Sequence, residues 1–207
     1  MHFGKHARVR AVVVCVLVFV AAVPAHSESG GTDSAAGNAV PPLVQRMVGT
    51  WSVQEQMWPG PGAAAIALPP AVARRRLIGD AFLQEAMEAA PNPKADRFTR
   101  VAYLDYNAVD QQYEYFSLDT RAPQMMVEKT YALDARGAGA VDGPVTLYGG
   151  SFVAPRWGAF VNAAFRYRLV VGKVEKGRQV VELYLTPLAG TPAREFLAFQ
   201  YVYTRQR

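Results

Sequence analysis

Apolar and polar residues alternate along most of this chain. Before residue 49 the pattern is different: in VPPLVQRMV, residues 40–48, Leu43 and Met47 are spaced i, i+4, and Pro41 and Pro42 suit a helix start. One or two helical turns are predicted there. From Gly49 onward the period is two. Trp51, Val53, Glu55 and Met57 alternate with Ser52, Gln54, Gln56 and Trp58, so a strand is predicted with the first set on one face. The run PGPGAAAIALPP, residues 59–70, breaks it. Further strands are predicted at 72–79, 81–89, 97–107, 111–120, 124–134, 144–153, 163–175, 179–187 and 194–205. Turn residues separate them, among them Asn92-Pro93, Arg136-Gly137, Asp142-Gly143 and Lys176-Gly177.

About ten strands with short connections imply an antiparallel meander. Left open, it would present two long apolar edges, and curling into an up-and-down barrel removes them. The prediction is therefore an all-β fold, a roughly ten-stranded antiparallel barrel behind a short N-terminal helix. A β-sandwich is the structural alternative. Phe165, Tyr167, Leu169 and Val171 share one strand face. Val181, Leu183 and Leu185 share another, as do Leu197, Phe199, Tyr201 and Tyr203. A barrel of this size has room for such side chains and for a small ligand as well.

The N-terminus sets the compartment. Lys5, Arg8 and Arg10 precede an apolar run from Ala11 to Val23, and Val23-Pro24-Ala25 places small residues at a cleavage spacing. Residues 1–25 are read as a signal peptide cleaved near Ala25, which places the protein in the periplasm or outside the cell. An uncleaved membrane anchor is the alternative. Cys15 lies inside the apolar run after Val14, which argues against lipidation. Residues 26–39 are small and polar and read as a flexible linker, leaving 40–207 as the barrel domain.

Cleavage removes the only cysteine, and the three histidines are His2, His6 and His26. The barrel domain thus has no thiol, no disulfide and no imidazole. That excludes Ser-His-Asp and Cys-His catalysis, and metal or haem held through histidine. No cofactor, no metal site and no catalytic residue is assigned. Lys5, Arg8 and Arg10 leave with the signal and no acid does, so the formal charge falls from +5 to +2. Nucleic-acid binding is not supported, and no membrane span remains after cleavage.

The residues "GTW" after a short helix, with Arg205 closing "YVYTRQR", resemble the lipocalin-like (calycin) barrels. The resemblance implies that Trp51 plugs one end of the barrel, with Gly49 before it and Arg205 of the last strand packed beside it. A closer resemblance, carried by "GTW", "RRRLIGDAFLQE", "YLDYN", "YEYFSLD" and "EFLAFQYVYTR", is to a family of secreted bacterial proteins known only as a domain of unknown function. It covers most of the span from Leu43 to the C-terminus. This chain departs from the family pattern at Asp105-Tyr106-Asn107, where Gly-Tyr-Asp is usual, and at Ser117, where Trp is usual. The family implies a fold and export and supplies no activity.

Glu55 shares its face with Trp51, Val53 and Met57. An inward Glu55 would be a desolvated carboxylate, able to act as an acid or a ligand contact, or to pair with an Arg near the mouth. Of Arg74, Arg75 and Arg76, at most two can share a face. A solvated outer face is expected, with an inward pair to Glu55 or Glu85 as the alternative. Arg166 and Arg168 are expected to form outer ion pairs with Glu182. Asp105, Asp110 and Asp119 lack an oxygen-rich loop and are not read as a metal site. Gly149-Gly150 reads as a bulge or tight bend. The functional reading is an exported binding module, with Glu55, Tyr167, Phe199 and Tyr201 as candidate contacts to a small apolar or amphipathic ligand. Two alternatives stand beside it. One is an envelope structural or protein-interaction factor using the 59–71 loop, and the other is a lyase or isomerase working with carboxylates and tyrosines.

Overall fold

A computed structural model describes residues 40–79, 81–92, 97–107, 109–110, 112–126, 143–189 and 194–207. The signal and linker and the segment 127–134 lie outside the described residues. Helix α1, Pro42–Met47, has a proline in its first turn and buries Leu43, Val44 and Met47. The strands are β1 Gly49–Met57, β2 Ile66–Ala67, β3 Ala71–Ile78, β4 Phe82–Ala89, β5 Thr99–Asn107 and β6 Gln112–Asp119. They continue as β7 Ala122–Met126, β8 Val145–Trp157, β9 Phe160–Val171, β10 Arg178–Pro187 and β11 Phe196–Arg205. Among the described residues, no helix is long and apolar enough to cross a membrane.

The fold is one antiparallel sheet in the order β7-β6-β5-β4-β3-β1-β11-β10-β9-β8, with β2 paired to β1. It curls into a nearly closed barrel rather than a sandwich. First and last strands pair, with Trp51 opposite Arg205. The ends of the sheet are β7 and β8, and the barrel comes nearest to closing where β6 approaches β8. Alternation does what the sequence pattern required. Along β1, Trp51, Val53 and Glu55 are buried while Ser52, Gln54 and Gln56 are exposed. Phe165, Tyr167, Leu169 and Val171 of β9 and Val181, Leu183 and Leu185 of β10 also point into the core.

Several strand assignments differ from the sequence prediction, among them β2, which lies inside the predicted break at 59–70. β8 and β9 run on to meet in a hairpin at Gly158-Ala159, where residues 154–162 had no assigned strand. Pro155 lies within β8, an edge strand, where proline removes no ladder bond that the sheet needs. Gly158 has φ +56, and a Cβ there would strike the Pro59 backbone, so the tight turn needs glycine. In β11, one extra residue lies opposite Leu183 and Tyr184 of β10. That bulge turns Leu197 off the inner face and brings Phe196, opposite Leu185, onto it. β9 stops at Val171 instead of running to 175: the Gly172 N–H still bonds the Val180 carbonyl, but the Gly172 carbonyl accepts from the Gln179 side chain instead of the backbone ladder. Lys176 and Gly177, both at positive φ, then form the turn into β10.

Candidate functional site

The two ends of the barrel are built differently. At the helix end, the indole of Trp51 is fully buried and donates to the Met47 carbonyl at 2.9 Å. The Arg205 guanidinium lies 4.3 Å from the centre of that ring and donates to the Val48 and Arg46 carbonyls. Gly49, at φ +134, lies so close to Arg205 that a Cβ would collide with its Nη1. The Gly-x-Trp stretch is therefore a structural joint. Glycine lets the arginine in, and the arginine ties the helix, the first strand and the last strand together.

Beneath this plug lies a buried charge network. Arg75 Nε donates to Glu85 at 2.7 Å, and its Nη1 donates to the Gln179 side chain. Arg100 Nη1 donates to the other Glu85 oxygen, and its Nη2 meets the Tyr115 hydroxyl. Tyr203 donates weakly to Glu85 at 3.4 Å, while Arg75 lies 3.8 Å from the centre of the Tyr203 ring. Burial pushes the Glu85 carboxyl up, but Arg75 and Arg100 outweigh it and hold it below the usual carboxylate range. The basic triplet thus splits. Arg74 makes an exposed pair with Glu88 and Arg76 bonds Gln84 on the outside, whereas Arg75 points inward. The expected outer face for the triplet is corrected for its middle member, whose neighbours on that face, Ala71 and Ala73, are buried.

Towards the other end the barrel contains a cavity of about 630 Å³. Its wall is mainly apolar: Met57, Leu68, Phe152, Trp157, Leu183 and Phe199 contribute, with the rings of Tyr167 and Tyr201. The Tyr167 ring lies across Gly149, where any Cβ would overlap it. The register shift between Tyr148 and Ser151 is the bulge expected at Gly149-Gly150, and it makes room for that ring. The polar part of the wall comprises Arg100, Tyr115, Ser117, Asp119 and Arg121, with Arg156 further along.

Tyr167, Phe199 and Tyr201 line this cavity. Glu55 lies behind the wall, 1% exposed, and accepts a 2.9 Å bond from Arg121 Nη1. Its other oxygen, Oε1, is buried with no hydrogen-bond partner among the described residues. Burial raises the Glu55 pKa above the usual range, and Arg121 offsets this only in part. Arg121 is clamped by Asp119 as well, through Nε at 3.0 Å and Nη2 at 2.7 Å, and it lies 3.7 Å from the centre of the Phe98 ring. Gly49, Trp51 and Arg205 stand apart from this site, at the closed end.

Arg100 and Arg121 were not singled out from the sequence. Arg100 was legible, because it alternates with the buried Ala102 and Leu104 on one face of β5. Arg121 sits in the turn after β6, where no periodicity applies, and nothing local signals its reach to Glu55. The outer charges also differ from expectation. Arg168 pairs with Glu195 at 2.7 Å, while Glu182 accepts from Tyr184 and Gln200. The hairpin geometry places the Tyr184 and Gln200 donors nearer to Glu182. Asp110 accepts from Asn107 and Asp119 from Arg121, so each of these aspartates has a protein partner.

Residues 42–201, which run from α1 into β11 and include the whole cavity wall, match the family model "Protein of unknown function (DUF1579)". The chain belongs to this family. No curated protein matches the sequence. The DUF1579 match ends at Tyr201, so the Arg205 half of the closure joint lies just past it.

Proposed function

We propose that this DUF1579 chain is an exported binding module, a lipocalin-like barrel whose cavity holds a small apolar or amphipathic molecule. The observation that carries the reading is the cavity, about 630 Å³ behind a mainly apolar, aromatic-rich wall with one polar sector. Ligand sites typically have volumes of about 300–1,000 Å³, and a few convergent polar groups among apolar ones orient what enters. Tyr167, Phe199 and Tyr201 supply flat apolar contact, and Glu55 acts through Arg121 rather than by touching the ligand. Leu68 and the short β2 fold back over the end of β1, and Leu68 reaches the wall, so the 59–71 loop serves as part of the cavity rim. Export is supported by the basic and apolar N-terminal run with its small-residue cleavage spacing.

Native mass spectrometry of protein purified gently from its own envelope tests the reading. The expected spectrum contains a second species, heavier by one small molecule, that solvent extraction removes. A bare polypeptide mass in every preparation, together with no uptake of any apolar probe, would overturn it. Deletion of residues 1–25 should leave the protein in the cytoplasmic fraction. Unchanged export of that deletion would overturn the compartment.

A further inference from the structure

The polar sector of the wall has a chemistry of its own. Three guanidinium groups, Arg100, Arg121 and Arg156, face the cavity with one carboxylate, Asp119. The other carboxylates of the network, Glu55 and Glu85, are 1% and 4% exposed and lie behind that wall. A head group arriving from the cavity therefore meets positive charge first. Hydrogen-bond capacity points the same way. A guanidinium has five N–H donors. Arg121 places one on Glu55 and two on Asp119, and Arg100 places one on Glu85 and one on the Tyr115 hydroxyl. Among the described residues, donors are left over on both. Asp119 has little acceptor capacity left, because Oδ1 accepts from the Arg121 backbone N–H and Nε, and Oδ2 from Nε and Nη2. The carboxylate oxygen of this network that has no partner among the described residues, Glu55 Oε1, is buried. The wall therefore offers donors and positive charge, and its acceptors apart from Asp119 are hydroxyls such as that of Ser117, which can also donate.

Resting on the binding reading above, we propose that the occupant is an apolar chain ending in a single oxyanion, a carboxylate or a phosphate monoester, whose head is held by Arg121 and Arg100. The aromatic and aliphatic wall from Phe152 to Phe199 takes the chain. Planar guanidinium forks match oxyanion geometry, and charge-assisted bonds of this kind are about twice as strong as neutral ones. Asp119 and Glu55 are positioning residues. They hold Arg121 at the wall, and Asp119 competes with the incoming anion for it.

The experiment is displacement of the neutral dye N-phenyl-1-naphthylamine from the full mature chain by decanoate, decyl phosphate, decanol and decylammonium at neutral pH. Decanoate, decyl phosphate or both should bind at least about tenfold more tightly than decanol, with decylammonium weakest. Whichever anion is tighter tells a free acid from a phosphorylated lipid. Arg121→Gln should bring the preferred anion to within about twofold of decanol and leave decanol unchanged. Asp119→Asn should tighten the anion a few-fold and leave decanol unchanged, a gain that a damaged fold would not produce. Decanol binding as tightly as both anions, decylammonium binding more tightly, or anion preference surviving in Arg121→Gln would overturn the proposal while the binding reading stands. If neither the dye nor any of the four chains binds, the binding reading itself falls, and this proposal with it.

Discussion

Two buried glutamates, Glu55 on β1 and Glu85 on β4, mark two ends of one barrel. Both oxygens of Glu85 are taken, one by Arg75 and the other by Arg100 and Tyr203, in a region closed by Trp51 and Arg205. Glu55 has one oxygen on Arg121 and one with no partner among the described residues, and it is buried behind the cavity wall. The same side chain in the same fold has a pKa lowered in one place and raised in the other. Burial acts upward on both, so the sign is decided by partner count: two arginines outweigh desolvation, and one shared with Asp119 does not. A fully satisfied network rigidifies a core, whereas a buried polar group left without a partner carries an energetic cost.

This contrast can be broken at either end. The largest effect is expected at the closed end. Glu85→Gln leaves two buried guanidiniums facing a neutral amide and should lower unfolding free energy by about 3–5 kcal/mol in equilibrium urea denaturation. A loss under about 1 kcal/mol would show that the network is not the structural unit described. Next comes Gly49→Ala, which sets a Cβ against Arg205 at a φ that alanine rarely adopts. It should cost about 1–3 kcal/mol, with an equal or smaller further loss when Arg205→Ala is added, because the two disrupt one joint.

Acid and base separate the two glutamates. A lowered carboxyl stabilises the fold above its unfolded pKa, and that stability is lost as pH falls through the folded value, so Glu85 supports the fold at neutral pH. A raised carboxyl has the opposite sign. The native state binds the extra proton, so Glu55 lowers stability as pH rises from its unfolded value through its folded one. Glu55→Gln should therefore gain stability relative to the parent between pH 4 and pH 7. Denaturation at the two pH values checks it, and a variant that loses ground over that interval would reverse the assignment. The smallest stability effect belongs to Ala154→Phe, which fills cavity space instead of core. It should change unfolding free energy by less than about 1 kcal/mol and weaken uptake of apolar probes.

Much of the closed end was legible in the sequence, because it follows from periodicity and from the ends of the chain. Alternation placed Trp51, Val53 and Glu55 on one inner face, and pairing of first with last strand put Arg205 opposite Trp51. The inner face of β11 was only partly legible. A bulge opposite Leu183 exchanges Leu197 for Phe196, and a one-residue insertion leaves no trace in a strict two-residue count. The β8–β9 hairpin runs beyond the predicted strands and carries Pro155, whose tolerance at an edge is a property of sheet order and not of local sequence. The polar sector of the cavity was the least legible part. Arg121 sits in a turn and finds Glu55 on a strand four places away in the sheet, a contact that curvature alone creates.

The proposed function requires a barrel that is solid at one end and receptive at the other. Its most direct test is a fluorescence titration of N-phenyl-1-naphthylamine against the mature parent protein and Ala154→Phe. The expected result is saturable binding of one dye per chain to the parent and clearly weaker binding to the variant, with unfolding midpoints close to each other. Equal binding to both proteins, or no binding to the parent, would contradict it.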